Sequence, residues 1–197
     1  MTTTAAARTG RPRDGSIDRA VLESTLRALA RDGYAGLSLR AVAEDAGTTR
    51  PALYRRWPDK AALVVDAVAH LAAVDPPAVT GDVFEDLVAE LEHFRHCIGE
   101  AAALPLAGLM LGDAVEESVR ERYQALVVGP RRERLRALIA RAAEEGAFAD
   151  DADLALAGSL ATGSWYALAL GQIAPPADWA LRTARLLWRA CGGTPPR

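Results

Sequence analysis

Cysteine is nearly missing from this chain, and lysine is rarer still. Cys97 and Cys191 are the two cysteines in 197 residues. They have no framework spacing, so a disulfide scaffold is excluded and free thiols in a cytoplasmic protein are expected. Of the 23 basic residues only Lys60 is lysine, so abundant arginine by itself says nothing about nucleic acid. Strand-like alternation is also lacking while helical periodicity runs throughout, which predicts an all-α chain. A Gly-x-Ser-x-Gly elbow, a Gly-rich phosphate loop and a His-Glu-x-x-His pair are all absent, which argues against a hydrolase, a nucleotide-dependent enzyme and a zinc protease. The reading is therefore no enzyme, no cofactor and no metal. His93, His96 and Cys97 are close in sequence. Stepping about 100° per residue from Phe84, however, turns His93 to the far side of its helix and His96 well round, so both are expected in solvent. The N-terminus has no continuous apolar run of the kind a secretory signal needs.

What is present concentrates between Ser38 and Leu63, SLRAVAEDAGTTRPALYRRWPDKAAL. Ser38 is a good N-cap, Leu39, Val42, Ala43 and Ala46 fall at helical spacing, and Gly47 stands where a helix end takes a left-handed residue. Thr48 or Thr49 caps the next helix, and Pro51 is tolerated because it lies in the first turn. Pro58 biases Trp57 out of the helical region, so that second helix is short. With Leu53 as the inward direction, Trp57 also points inward, while Pro51, Ala52, Tyr54 and Arg55 spread over the outer half. A face of small residues flanked by Tyr and Arg suits a DNA groove. Ala43 is small where a helix-turn-helix brings its two helices together.

Residues Ala43, Ala46-Gly47, Thr49, Pro51-Ala52-Leu53-Tyr54, Arg56-Trp57, Lys60 and Leu63 together resemble the DNA-binding signature of TetR-type transcriptional regulators, with Trp57 where that family more often has Phe. The resemblance implies that Thr48, Thr49, Arg50, Ala52 and Tyr54 face bases or flanking phosphates and that Arg56 and Lys60 hold the DNA backbone. Ser38, Arg40 and Arg55 complete the expected set, and of Arg55 and Arg56 either one can be the base reader. Ahead of the first helix, the Gly10-Arg11-Pro12-Arg13 core resembles the short arms that lay arginine into a narrow minor groove, so Arg11 and Arg13 join the set unless the arm is a plain disordered tail.

Charge supports this division. Residues 1–60 hold 11 basic and 7 acidic side chains, whereas residues 61–197 hold 12 and 19. A basic head on an acidic body suggests a localised nucleic-acid footprint. The expected organisation is a flexible basic arm (1–15), a helix-turn-helix domain (16–60, with its first helix from Ser16 to Asp32) and a helical domain for ligand binding and dimerisation (61–197).

In that larger part, helices are expected from Asp59 to about Ala73, from about Gly81 to Glu100, from Glu116 to Val128, and onward to Gly146 after Gly129-Pro130 kinks or restarts the chain. Between them, 101–111 is an uncharged run split by Pro105 that could form a short buried helix. Arg131, Arg132, Arg134 and Arg136 lie mostly off the Leu135, Leu138, Ile139 and Ala142 stripe and are expected on a solvated face. Leu154 to Ala177 carries no charge at all. Its Ser, Thr, Gln and Pro-Pro content weakens a membrane reading and favours aqueous burial, which a helix apolar all round requires on every side. Together with the helix from about Ala177 to Cys191, it leaves more apolar surface than a small domain hides. A two-fold homodimer is therefore expected, as a palindromic operator demands. The family resemblance adds an enclosed small-molecule site, with Leu91, Phe94, Leu109, Met110, Tyr123, Trp165 and Tyr166 as candidate lining. It also implies a repressor released when its ligand swings the helix after Lys60. The alternative is a helical ligand-binding or adaptor protein without DNA binding.

Overall fold

The computed structural model describes residues 15–73, 76–100, 107, 108, 110 and 116–196, and among these every regular element is helical. Helix α1 covers Gly15–Gly36, α2 Leu39–Asp45, α3 Arg50–Tyr54, α4 Lys60–Ala73 and α5 Val83–Glu100. Helices α6 (Glu117–Tyr123) and α7 (Gly129–Glu144) are joined by a π turn at Gln124–Val128, and α8 (Leu154–Leu170) and α9 (Trp179–Ala190) follow. The first helix outruns its expected end at Asp32 because the chain breaks helical geometry only at Gly33 (φ 67°, ψ 177°) and then resumes for a further turn. The short α3 forms for the reasons its sequence offers: Thr49 Oγ1 accepts from Ala52 N–H at 3.4 Å, and Pro51 lies in the first turn.

The end of α2 sets the angle of the following helix. Gly47 adopts φ 64°, its N–H donates to the Glu44 carbonyl at 3.2 Å, and Thr48 N–H donates to the Ala43 carbonyl at 2.9 Å. This pair of reversed bonds is a Schellman end, which needs a left-handed residue. Leu53 and Trp57, at 1% and 5% exposure, then bury the inner face of α3 against a core shared with Val21, Leu29, Val42 and Ala43. Burial of each such large apolar side chain contributes about 2–3 kcal/mol.

Helix α4 packs on α1 at one end and on α5, α6 and the π turn at the other, so it belongs to both halves of the molecule. Seven of its residues between Ala61 and Val68 are buried, Asp66 being the exception. The larger half is built from α5 against α7 and α9, with α8 lying on α7 and α9. Phe84, Trp188 and Phe148 stack edge to face at centroid distances of 5.1 and 4.8 Å and close its far end.

The helix restarts at Gly129-Pro130 as expected, with Pro130 in the first turn of α7, and the π turn before it has Gly129 N–H bonded to the Gln124 carbonyl five residues back. Two expectations change here. Arg131 and Arg134 leave the solvated face: Arg131 lies over the Phe94 ring, and Arg134 holds the Glu90 carboxylate with two bonds of 3.0 and 2.9 Å. Only Arg132 and Arg136 of that group are exposed. His93 is half-buried rather than solvated, its ring nitrogen 3.2 Å from the Ala72 carbonyl and 3.6 Å from Cys97 Sγ. The expected helix in 101–111 falls almost wholly outside the described residues. Among the described residues, no helix is long and apolar enough to cross a membrane, and no three His, Cys, Asp or Glu side chains group as metal ligands.

Candidate nucleic-acid interface and ligand domain

The outer face of α3 is built from cations and one phenol. Arg50 and Arg55 are exposed, as is Tyr54 at 41%. The Arg50 guanidinium carbon lies 5.6 Å from the Tyr54 ring centroid, and its Nη2 donates to the Tyr54 hydroxyl at 3.4 Å. The two side chains thus stand together on the surface, held by a cation–π contact that leaves further donors free. Arg55 has no acidic partner among the described residues. Thr49 is exposed and Thr48 and Ala52 are half-buried at the entry to the helix. Ser38 is exposed, its Oγ accepting from Ala41 N–H at 3.4 Å, and Arg40 pairs with Glu44 one turn on at 2.8 Å.

The side chains expected on the DNA backbone are held by α1 instead. Arg56 Nε lies 2.6 Å from Asp18 Oδ1, with both side chains mostly covered. Lys60 Nζ donates to the Ala35 carbonyl at 3.1 Å and sits 4.8 Å from the Tyr34 ring centroid. The start of α4 is capped by Asp59, whose carboxylate accepts from Ala62 N–H at 2.7 Å. Arg56 and Lys60 therefore fasten α3 and α4 to α1, and the Lys60 ammonium keeps further donors beside its bond to Ala35. Arg11 and Arg13 lie outside the described residues.

One polar chain was missing from the sequence reading. Trp57 Nε1 donates to Asp66 Oδ2 at 2.9 Å, and Arg122 on α6 grips both oxygens of the same carboxylate at 2.5 and 2.7 Å. The end of the recognition segment is thus wired through α4 to the larger domain. Its signal was available: Asp66 is the single acid in the otherwise apolar run of α4.

In the larger domain the structure gathers part of the expected lining. Leu91, Phe94, Met110 and Tyr123 are buried, Trp165 and Tyr166 are half-buried, and Leu109 lies outside the described residues. Phe94 meets Trp165 at 6.2 Å and Tyr166 at 5.9 Å between centroids, and Trp179, not expected here, stands 5.8 Å from Phe94 and 5.0 Å from Trp165. Burial, reinforced by Tyr166 and opposed by Arg131, pushes the Tyr123 phenol up to about 12, which keeps it a neutral hydrogen-bond donor. Burial likewise lifts the Cys97 thiol to about 11, so it is not a reactive thiolate.

Both halves match known regulators. Residues 21–77 fit the family of bacterial regulatory proteins, tetR family, and residues 77–187 fit the tetracyclin repressor-like C-terminal domain. The chain belongs to the TetR family. Among relatives, the uncharacterized HTH-type transcriptional regulator YdeS of Bacillus subtilis is 23% identical over 146 residues, 74% of each protein. The DNA-binding transcriptional repressor TetR of Mycobacteroides abscessus is 38% identical over 88 residues, 44% of this chain and 45% of that one. The crystal structure of the TetR family transcription regulator SCO0332 superposes with a TM-score of 0.67 at 27% identity, covering 89% of this chain and 98% of that one. As a TetR-family member the chain is a transcriptional regulator with a DNA-binding helix-turn-helix and a helical ligand-binding C-terminal domain.

Proposed function

We propose that two copies of this chain hold a palindromic operator with their paired α3 helices and release it when a small molecule binds the larger domain, so that the protein acts as a repressor in the cytoplasm. The observation that carries the DNA part is the composition of α3: an inner face sealed by Leu53 and Trp57, and an outer face on which Arg50, Tyr54 and Arg55 stand exposed. Arginine forks read guanine edges or grip phosphates, and a helix N-terminus entering the major groove presents these positions.

The homodimer is supported by a misplaced apolar surface. On α8, which has no charge, Leu156, Leu160 and Leu170 are exposed at 54, 52 and 87%, and only Ala157 and Ala161 are buried. Leu186 on α9 adds 64%. The exposed stripe includes Gly163 and Ala167, small enough for close helix approach. Such a surface fits a two-fold contact with a second copy. The domain boundary is proposed at Lys60, with 16–60 as the reading head and 61–197 as the body.

The reading is tested by a footprint on the DNA upstream of the protein's own gene. A protected palindrome, with affinity that falls steeply with salt, is expected. Binding no tighter than to competitor DNA would leave a helical ligand-binding protein instead. Light scattering at micromolar concentration is expected to give a dimer, and a monomer would remove the symmetry argument.

A further inference from the structure

Three polar groups in the larger domain are left unmatched by the packing around them, and they belong to one neighbourhood. Arg131 is half-buried in the first turn of α7, with its guanidinium carbon 4.7 Å from the Phe94 ring centroid. Among the described residues no carboxylate or carbonyl pairs with it. Glu90, the nearby buried acid, is already gripped at both oxygens by Arg134. Tyr123 is 5% exposed, yet its hydroxyl makes no hydrogen bond among the described residues. The Tyr166 hydroxyl, whose charge would be felt at Tyr123, makes none either. A ring face offsets only part of what a guanidinium loses on leaving water.

The π turn is what brings these groups together. Tyr123 and Arg131 are eight residues apart, which in a regular α-helix leaves them about 80° apart around the axis. The wide turn at Gln124–Val128 takes up roughly one residue, so seven steps separate them in effect and the offset falls to about 20°. Arg131 then lies over Phe94, which meets Trp165 and Tyr166, and Tyr123 lies near enough to Arg131 and Tyr166 to feel both.

We propose that Arg131, with the Tyr123 and Tyr166 hydroxyls beside it, is the anion-binding end of the effector site, and that the effector is an organic anion whose apolar body lies against Phe94 and Trp165. This rests on the larger domain being the ligand-binding domain. A guanidinium offers a planar fork that matches a carboxylate, sulfonate or phosphate with two parallel bonds, and charge-assisted bonds of this kind are about twice as strong as neutral ones. The two phenols are donors and so add to an anion's shell. A cationic ligand would meet an uncompensated positive charge at the same place.

The test is calorimetric titration of the full chain with three carboxylates of different body, benzoate, naphthalene-2-carboxylate and decanoate, each beside its uncharged carboxamide. At least one carboxylate is expected to bind saturably, about tenfold or more tighter than its amide. Arg131→Gln is expected to remove that preference, Tyr123→Phe to weaken binding severalfold, and Arg132→Gln, one residue along on the exposed face, to change nothing. Circular dichroism of each variant confirms that it folds. Equal affinity for acid and amide, full affinity in Arg131→Gln, or no uptake of any of the three acids by the folded protein would overturn the proposal. Mobility shifts on the footprinted DNA separate this outcome from the DNA reading. Arg131→Gln that still shifts DNA but no longer binds the acid supports the site, while a wild type that binds the acid and shifts no specific DNA sinks the operator reading alone.

Discussion

Arginines behave in opposite ways in the two halves of this molecule. On α3, Arg50 and Arg55 project into solvent with no acid beside them, whereas on α7, Arg134 and Arg141 turn inward to carboxylates that are 3% exposed. The same residue type stands free on the surface in one place and is a structural tie in the other. The difference lies in what the neighbouring helix offers: α5 presents Glu90 and Asp86 to α7, while nothing acidic in the described head faces the outer side of α3. An arginine's role is thus fixed by its cross-helix partner, which its own helix does not reveal.

The contrast is broken most severely by removing an inward cation. Arg134→Ala leaves Glu90 buried without its two bonds. Losing one partner of a buried pair costs about 3–5 kcal/mol, and the lower end is expected because the Arg134 side chain is itself 36% exposed and water can enter. Chemical denaturation should show that loss, with Arg134→Ala/Glu90→Leu recovering much of it. On the outer face of α3 the same truncation should leave folding untouched. Arg50→Ala is expected to cost about 1–3 kcal/mol of operator binding and to relax sequence preference, while Arg55→Ala, if it meets phosphate, should weaken all sequences alike and lower the salt slope by about one. A denaturation midpoint moved by Arg50→Ala would show that the cation is a tie after all.

Titration sharpens the same comparison. Burial alone would raise Asp86, but the Thr80 N–H, the Arg141 guanidinium and the Thr80 hydroxyl together hold it at about 2. A carboxylate depressed on folding stabilises at and above its ordinary pKa, and that contribution is lost as pH falls through the folded value. The wild type should therefore lose stability between about pH 4 and pH 2, and Asp86→Asn, less stable at neutral pH, should show a flatter acid limb in urea melts.

The head was legible because its signals are local. Ser38, Gly47, Thr49, Pro51 and Pro58 each act on their own backbone, and the inward turn of Leu53 and Trp57 follows from helix geometry alone. Gly47→Ala probes this directly: at φ 64° a Cβ is strained though nothing stands within 4 Å of it, so about 1 kcal/mol of stability should go. The body was less legible because its faces are defined between helices. Arg131, seven and eleven residues before Leu138 and Ala142 on the same helix, shares their stripe by helix geometry and so turns from an expected solvated face to the Phe94 ring. Arg134 was misplaced for another reason: its partner Glu90 lies 44 residues earlier. His93 failed similarly, since the end of α4, not its own helix, covers it.

The junction between the halves gives the smallest effect and the most specific one. Arg122 is about half exposed, so its pairing with Asp66 should add only about 0.5–1 kcal/mol to stability in a melt. Asp66, however, also takes the Trp57 indole N–H, so the carboxylate joins the end of the recognition segment to α6 in one move. If that chain carries information between the halves, Arg122→Gln and Trp57→Phe should not act independently on operator affinity. Their double-mutant cycle should leave an interaction of about 0.5 kcal/mol or more, because both substitutions remove a donor from Asp66 Oδ2. Additivity within error would mean that Asp66 anchors each neighbour separately, and the two kinds of arginine would then meet at α4 without being coupled through it.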